Sequence, residues 1–540
     1  MRFVGVGSVV VMAATAAGPV RARETADLER DCRTVVSGDP APKALDAAVA
    51  RAGSEGKTRL DLSVTDQEDT RHENGDGNPL PRLVASRTWK KPLEAARTIA
   101  GAKAMAGVKE LVLDRFPITA ETARVLAASP NLRGLEVLSL RRAQVTGAAL
   151  RELLAPGALP ALVELDLTNN GLKAADLQEL AARLTERKLR RLAIGVDRGR
   201  LPGYLKAALG SDAATRDALA RIAATPSLTA LELNDEPIAI ATLEALLQTG
   251  RTQPLDVETS GFPKVSAKQL AALAALDPDV HVTFSISDLE IDPGRLRAFD
   301  KSGWLAKVSS LEITCGDACA RILAGSTHTK RLRELSFACS DQGNFAATKG
   351  TAIALARAAL PALRRLLFLN DVEICQQSGI GGAGLRALLK APFAGQLESL
   401  TLDDQNLNDA DYVMLANAKS LGALTELVAS EYESILTPAT SPALLRDGAL
   451  ATHLGVLRLQ TEGTLDPKEL VKGLKMPKLR VLELPGIGGS MRDLMRVARS
   501  PGWGNIRVLS LSAQLNDDDR PTDPFFKELR KHLPADACLP

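Results

Sequence analysis

The sequence predicts an α/β solenoid, a curved layer of parallel strands with convex helices behind it and small caps at both ends. Three observations carry that expectation. Leucines recur as a ladder through most of the 540 residues, with the rung Leu162, Leu165, Leu167, Asn170, Leu172 echoed by Leu135, Leu138, Leu140 and by Leu189, Leu192, Ile194, each 27 residues away. A unit of that length cannot bury its own apolar face and must stack on its neighbours. Within a rung, apolar and polar residues alternate, as in Val163-Glu164-Leu165-Asp166-Leu167, so one strand face is buried. Helical spacing follows, as in Gly147–Leu154 and Leu177–Ala181, and a repeat of ~27 residues has room for the crossover that parallel strands require.

The chain begins with Arg2, an apolar run from Phe3 to Ala17, and small-x-small sites at Ala14-Thr15-Ala16 and Val20-Arg21-Ala22. That pattern predicts an export signal over 1–22 and a periplasmic or extracellular protein; the alternative is a flexible N-terminus on a cytoplasmic one. Residues 23–79 read as an N-terminal cap region, with a helix over Pro42–Ala52, a capping strand at Leu60-Asp61-Leu62 and a polar loop over Asp66–Pro79. The solenoid occupies 80–520. Rungs start at Leu80, Val108, Leu135, Leu162, Leu189, Leu228, Thr252, Asp279, Val308, Leu332, Leu363, Leu397, Leu424, Leu454, Leu479 and Ile506. The Thr252 and Asp279 rungs lack the first leucine but keep the strand pairs Leu255/Val257 and Val282/Phe284. Longer gaps after Leu189 and Leu363 predict insertions on the convex side. A cap helix beginning at Pro524 and a tail fill 521–540.

Repeats of this length with a convex helix resemble the ribonuclease-inhibitor-like class of leucine-rich repeat proteins, over about residues 80 to 515. The family's asparagine, whose side chain bonds the backbone of adjacent coils, stands at Asn170. Elsewhere its place is taken by Asp197, Ser340, Asp371, Gln405 and Gln514, or by apolar Ala143 and Ile487.

Composition narrows the function. Hydrophobic residues make up 45% and charged residues 24%, as in an ordinary soluble protein, while aromatics at 3% leave Leu, Ala and Val to fill thin layers. Net charge is +2, which gives no warrant for a nucleic-acid or membrane partner. No apolar run after the leader approaches the ~18 residues of a membrane span. Gly379–Gly384 matches GxGxxG, with Asp403 nineteen residues beyond Gly384. It aligns with an ordinary rung-to-helix connection, however, since Ile380–Leu389 matches Val145–Leu154. Gly53–Thr58 ends like a phosphate loop but lies between a helix and a strand, the reverse of what a phosphate cradle needs. Glu73–Asn78 lacks the terminal glutamate of a calcium loop. The five histidines are scattered among different elements, and no catalytic residue, metal or cofactor is expected.

Cys315 and Cys339 each stand two residues past the third apolar position of successive rungs. Adjacent strands lie ~4.8 Å apart, within disulfide range. The two are the expected pair if a bridge forms, with Cys319 and Cys375 as competitors and two reduced core fillers as the alternative.

Residues just before, between and just after the second and third apolar positions should point away from the core. Those positions hold Glu110, Asp114, Glu164, Asp166, Glu232, Asp256, Glu258, Glu312, Glu334, Asp403, Glu426 and Glu483, against Arg82, Arg141, Arg191, Arg365 and Arg458. The expected function is therefore non-catalytic recognition of a protein or peptide, with a basic partner, by a monomer with an acidic concave face. The alternatives are a structural or envelope-associated repeat protein, or an enzyme whose site leaves no motif.

Overall fold

The computed structural model describes residues 34–36, 42–54, 57–63, 89, 91–195, 212–234, 238–259, 262–263, 265–287, 291–338, 347–370, 379–431, 435–461, 465–485, 487, 490–511, 524–534 and 537. Its strands are β1 (Thr34–Val36), β2 (Arg59–Asp61), β3 (Glu110–Val112), β4 (Val137–Ser139), β5 (Glu164–Asp166), β6 (Arg191–Gly195), β7 (Ala230–Asn234), β8 (Leu255–Thr259) and β9 (Val282–Ser287). They continue as β10 (Val308–Ile313), β11 (Glu334–Ala338), β12 (Arg365–Leu369), β13 (Ser399–Asp403), β14 (Glu426–Glu431), β15 (Val456–Thr461), β16 (Val481–Leu484) and β17 (Val508–Leu511). Each strand pairs in parallel with the next in sequence, giving one open sheet. This is an α/β repeat solenoid.

Every rung from Val108 to Ile506 carries a strand. The expected Leu80 rung and the segments 1–22, 196–211 and 371–378 lie outside the described residues. The neighbour of β3 on its N-terminal side is β2, which follows the helix Pro42–Ser54. At the other end, Glu528 of the helix Pro524–Leu529 pairs with Arg499 of the preceding coil at 2.8 Å.

Stacking explains the leucines. Leu60, Leu111, Leu138, Leu165, Leu192, Leu231, Val257 and Phe284 pair in register from β2 to β9, and none is more than 2% exposed. They belong to one continuous core that runs through the described coils.

Where the leucine ladder is incomplete, the register moves. Leu231, the second apolar position of its rung, pairs with Val257, and Val257 with Phe284. The rungs counted from Thr252 and Asp279 thus enter the sheet two residues later, from Pro254 and His281. A shift of two leaves every side chain on its face, whereas a shift of one would invert the strand. At β10 the frame changes again. Val308 pairs with Phe284 but Ser310 with Ser285, so Ser309 is an extra, bulged residue.

Buried cations stand beside both irregular coils. The Arg251 guanidinium donates to the carbonyls of Ala223 and Thr225 at the end of the helix Ala213–Ala223 and to that of Leu228, where the next rung begins. Lys307 lies 3.5 Å from the Asp277 carboxylate, which also accepts from the His281 and Val282 amides. Each charge meets oppositely polarised groups, which makes its burial tolerable.

The asparagine position works as the family resemblance implies. The Asn170 amide donates to Leu140 O at 2.7 Å and Leu167 O at 2.8 Å, and its oxygen accepts from Val145 N at 3.0 Å. Gln405 repeats the acceptor role toward Ile380 N at 3.3 Å, the residue that aligns with Val145. The glycine run beside it has a packing explanation. A Cβ on Gly379 would fall 2.6 Å from the Gln405 backbone, and one on Gly382 would fall 1.9 Å from the Asp411 carboxylate of the next coil.

The cysteine pairing differs from the expected one. Cys315 is bonded to Cys319, with alpha carbons 5.5 Å apart. Strand β10 ends at Ile313, and Cys315 caps the helix Gly316–Gly325. One helical turn, rather than one inter-strand step, therefore supplies its partner. Cys339 lies outside the described residues.

Candidate binding face of the strand layer

Side chains that alternate away from the core form the second face of the sheet, and its character follows from its neighbours in register. In the first coils, acids and arginines answer each other across strands. Arg59 bonds Glu110 at 2.8 Å as well as Asp61 of its own strand at 3.0 Å, Arg141 lies 3.7 Å from Asp166, and Arg191 pairs with Glu232. Asp114 accepts from the Ser139 hydroxyl at 2.5 Å and the Arg141 amide at 3.1 Å. Burial nevertheless raises its pKa above the usual carboxylate value, and the Asp166 charge adds to the rise. The Glu164 side chain, half-buried on the same face, makes no hydrogen bond or ion pair among the described residues.

The densest cluster lies at the register change. Asp256 accepts hydroxyl bonds from Thr283 at 2.7 Å, Ser285 at 2.6 Å and Ser309 at 2.6 Å. Three donors from two further strands thus converge on one carboxylate, and the bulge at Ser309 brings the third within reach. Beside it, Glu258 stands in register between Glu232 and Ser285. The Glu258 side chain reaches solvent and makes no hydrogen bond or ion pair among the described residues. The surrounding wall of the face still desolvates it. That burial pushes its pKa up, the Glu232 charge next, with Asp256 and Glu334 adding and Arg191 opposing. Glu312 is half-buried, and Glu334 lies 3.4 Å from Arg365.

The expected outward set does not stay exposed along the whole sheet. Arg458 and Glu483 form a 2.7 Å ion pair with side chains only 1% and 7% exposed. Gln460 donates to the second Glu483 oxygen at 3.2 Å. Their neighbours on this face, Ser399, Thr401, Val428, Val481 and Val508, are also buried. Alternation assigned these side chains to the correct face, but facing away from the core does not by itself mean facing water.

Sequence reasoning missed three features. Arg59 and Asp61 lay in what was read as a cap. The hydroxyls Thr283, Ser285 and Ser309 carry no charge and were passed over, although the doublet Ser309-Ser310 stands where alternation allows one outward residue. Glu431 was also missed. Its carboxylate accepts from the amides of Gln405 at 3.2 Å and Leu407 at 3.3 Å and from the Tyr412 hydroxyl at 3.2 Å. Burial raises its pKa to about 7. No group of three or more His, Cys, Asp or Glu placed to hold a metal occurs among the described residues, and none of the described helices is long and apolar enough to cross a membrane.

The fold and this face define a parallel α/β repeat solenoid with a charged strand surface. No family model matches the chain, and no curated protein matches it. Among solved structures, a chain of the crystal structure of the Rad7 and Elc1 complex in yeast is similar, at 15% sequence identity with a TM-score of 0.36, over 74% of this chain and 83% of that one.

Proposed function

We propose that this chain is a monomeric, non-catalytic leucine-rich repeat scaffold of the ribonuclease-inhibitor-like class that binds a basic protein or peptide through the acidic part of its strand face. The observation that carries the reading is Glu258, an accessible carboxylate without a partner, set among the carboxylates of Glu232 and Asp256. A cation docking there relieves repulsion among these acids that Arg191 offsets only in part. Export to an oxidising compartment belongs to the same reading, supported by the buried Cys315–Cys319 bridge.

The test is affinity capture with the full chain, followed by reversal of Glu164, Asp166, Glu232 and Asp256 to lysine. Binding to the captured partner should weaken strongly, and its salt dependence should flatten or invert. Unchanged affinity and unchanged salt dependence would move the binding site off this face.

A further inference from the structure

The bulge joins two parts of the face into one row. Through it, Glu258 registers with Ser285, Ser285 with Ser310, and Ser310 with Glu334. Two serines therefore form a low floor between two glutamates, three inter-strand steps or about 14 Å apart at the backbone. The floor is chemically one-sided. Ser285 and Ser309 are placed to give their protons to Asp256 on the same face, and a hydroxyl that donates to a carboxylate keeps lone pairs for a further donor.

A separate observation shows an unfilled hydrogen-bonding position at the rim. Ser336 is only 6% exposed, and its hydroxyl has no hydrogen-bond partner among the described residues. Leu335 and Phe337 enter the core, so Ser336 points to the opposite face, two residues along β11 from Glu334 and in register with Glu312. A buried hydroxyl left unpaired is unfavourable, because it has lost water without gaining a partner. The charge on Glu334 is near enough to raise the pKa of Glu258 across the serines.

Resting on the reading of an acidic, partner-binding face, we propose that Glu258, Ser285, Ser309, Ser310, Glu334 and Ser336 form a cradle for one lysine ammonium of the partner. An ammonium is compact and carries three donors that can be shared among a carboxylate and separate hydroxyl oxygens. Arginine suits the cradle less well. Its planar fork asks for a carboxylate presented edge-on, and the flanking acids Glu232 and Glu334 already hold Arg191 and Arg365.

The experiment titrates the full chain with fluorescein-labelled tetralysine, its Nε-acetylated form and tetra-arginine, read by anisotropy. Tetralysine should bind more tightly than tetra-arginine, and the acetylated peptide should not bind. Glu258→Gln should weaken tetralysine about tenfold, the worth of one charge-assisted hydrogen bond, and Ser336→Ala about threefold. Glu244→Gln removes an exposed acid from the helix Ile240–Leu247, outside the strand face, and should change affinity less than about twofold. Equal losses from Glu244→Gln and Glu258→Gln would overturn the cradle and leave a diffuse attraction to net charge. Tighter binding of tetra-arginine would likewise overturn it. A wild-type chain that ignores both basic peptides at low salt would overturn the cradle and the basic partner together. Circular dichroism of each variant separates lost binding from lost fold.

Discussion

Arg191 and Arg458 each pair with a glutamate on the next strand, Glu232 and Glu483, and each pair sits on the face turned away from the leucine core. Arg191 is 52% exposed and Arg458 is 1% exposed. The same device thus occurs in two dielectric settings on one scaffold. Around Arg191 the outward acids Glu164, Asp166 and Glu232 reach water in part, beside the small Ala193 and Ala230. Around Arg458 the outward neighbours are valines, serines and threonines that do not. Buried, the pair must satisfy every polar atom internally, and one guanidinium nitrogen of Arg458 has no partner among the described residues. The charges available to the proposed partner therefore lie from the first coils to β11, whereas the buried Arg458–Glu483 pair serves the fold.

The largest test of that contrast removes one arginine from each half. Arg458→Ala strands Glu483 in a buried site and should cost about 3–5 kcal/mol in denaturant unfolding, whereas Arg191→Ala should cost at most about 1 kcal/mol. Replacing both buried partners, as Arg458→Met with Glu483→Leu, should be close to neutral, because no charge is then left alone. Equal costs for the two arginines would mean that the halves do not differ in the way burial implies.

A second contrast concerns how coils are tied together. In the first half the neutral Asn170 accepts the Val145 amide; in the second, Glu431 accepts the Leu407 amide with an ionisable group. The folded pKa of Glu431 is raised to about 7 from 4.5. Below about pH 4.5 the carboxyl is protonated in both folded and unfolded chains, and its contribution to stability is fully present. As pH rises toward 7 the unfolded chain ionises first, so that stability is lost across this window, by roughly 2–3 kcal/mol. Glu431→Gln keeps an acceptor but cannot ionise. Its stability should exceed that of the wild type at pH 8 and match it near pH 4, read from urea midpoints. A wild-type advantage at pH 8 would refute the raised pKa.

Much of this architecture was legible because repetition averages out local ambiguity. The alternation in Val163–Leu167 is weak alone, but the same pattern at a spacing near 27 recurs through the chain, and every rung from Val108 onward became a strand. What could not be read depends on contacts between coils. The frame at Thr252 and Asp279 was two residues out, because the missing leucine removed the marker while a shift of two left alternation intact. Arg251 gave no signal, since nothing local shows that it will reach the carbonyl end of the helix Ala213–Ala223 in the coil before its own. Cys315 was assigned a cross-strand partner because strand spacing was considered and the helix start at Gly316 was not. The candidate face was legible as charge, while the hydroxyls of Thr283, Ser285 and Ser309 acquire meaning only through register.

Removing the asparagine itself gives a smaller, local effect. Asn170→Ala deletes one donated and one accepted bond that join adjacent coils, with a donated bond inside its own coil, and should destabilise by about 2 kcal/mol. Hydrogen exchange should quicken first at Val145, whose amide loses its acceptor. Protection lost equally along the whole solenoid would instead mean that the two halves unfold as one unit, and the contrast between them would not extend to stability.

The smallest expected effect is the most informative about recognition. Arg141 lies 3.7 Å from Asp166, with side chains 46% and 31% exposed, a long and solvated pair. Such a pair adds at most a few tenths of a kcal/mol, and 0.5 M salt should abolish even that. Arg141→Ala should therefore leave the unfolding midpoint almost unchanged while making the face more acidic by one unit. If this face steers a basic partner, association should become faster at low salt, with dissociation nearly constant. A variant that is destabilised but binds at the wild-type rate would show that the charges of the first half, like those of the second, serve the fold.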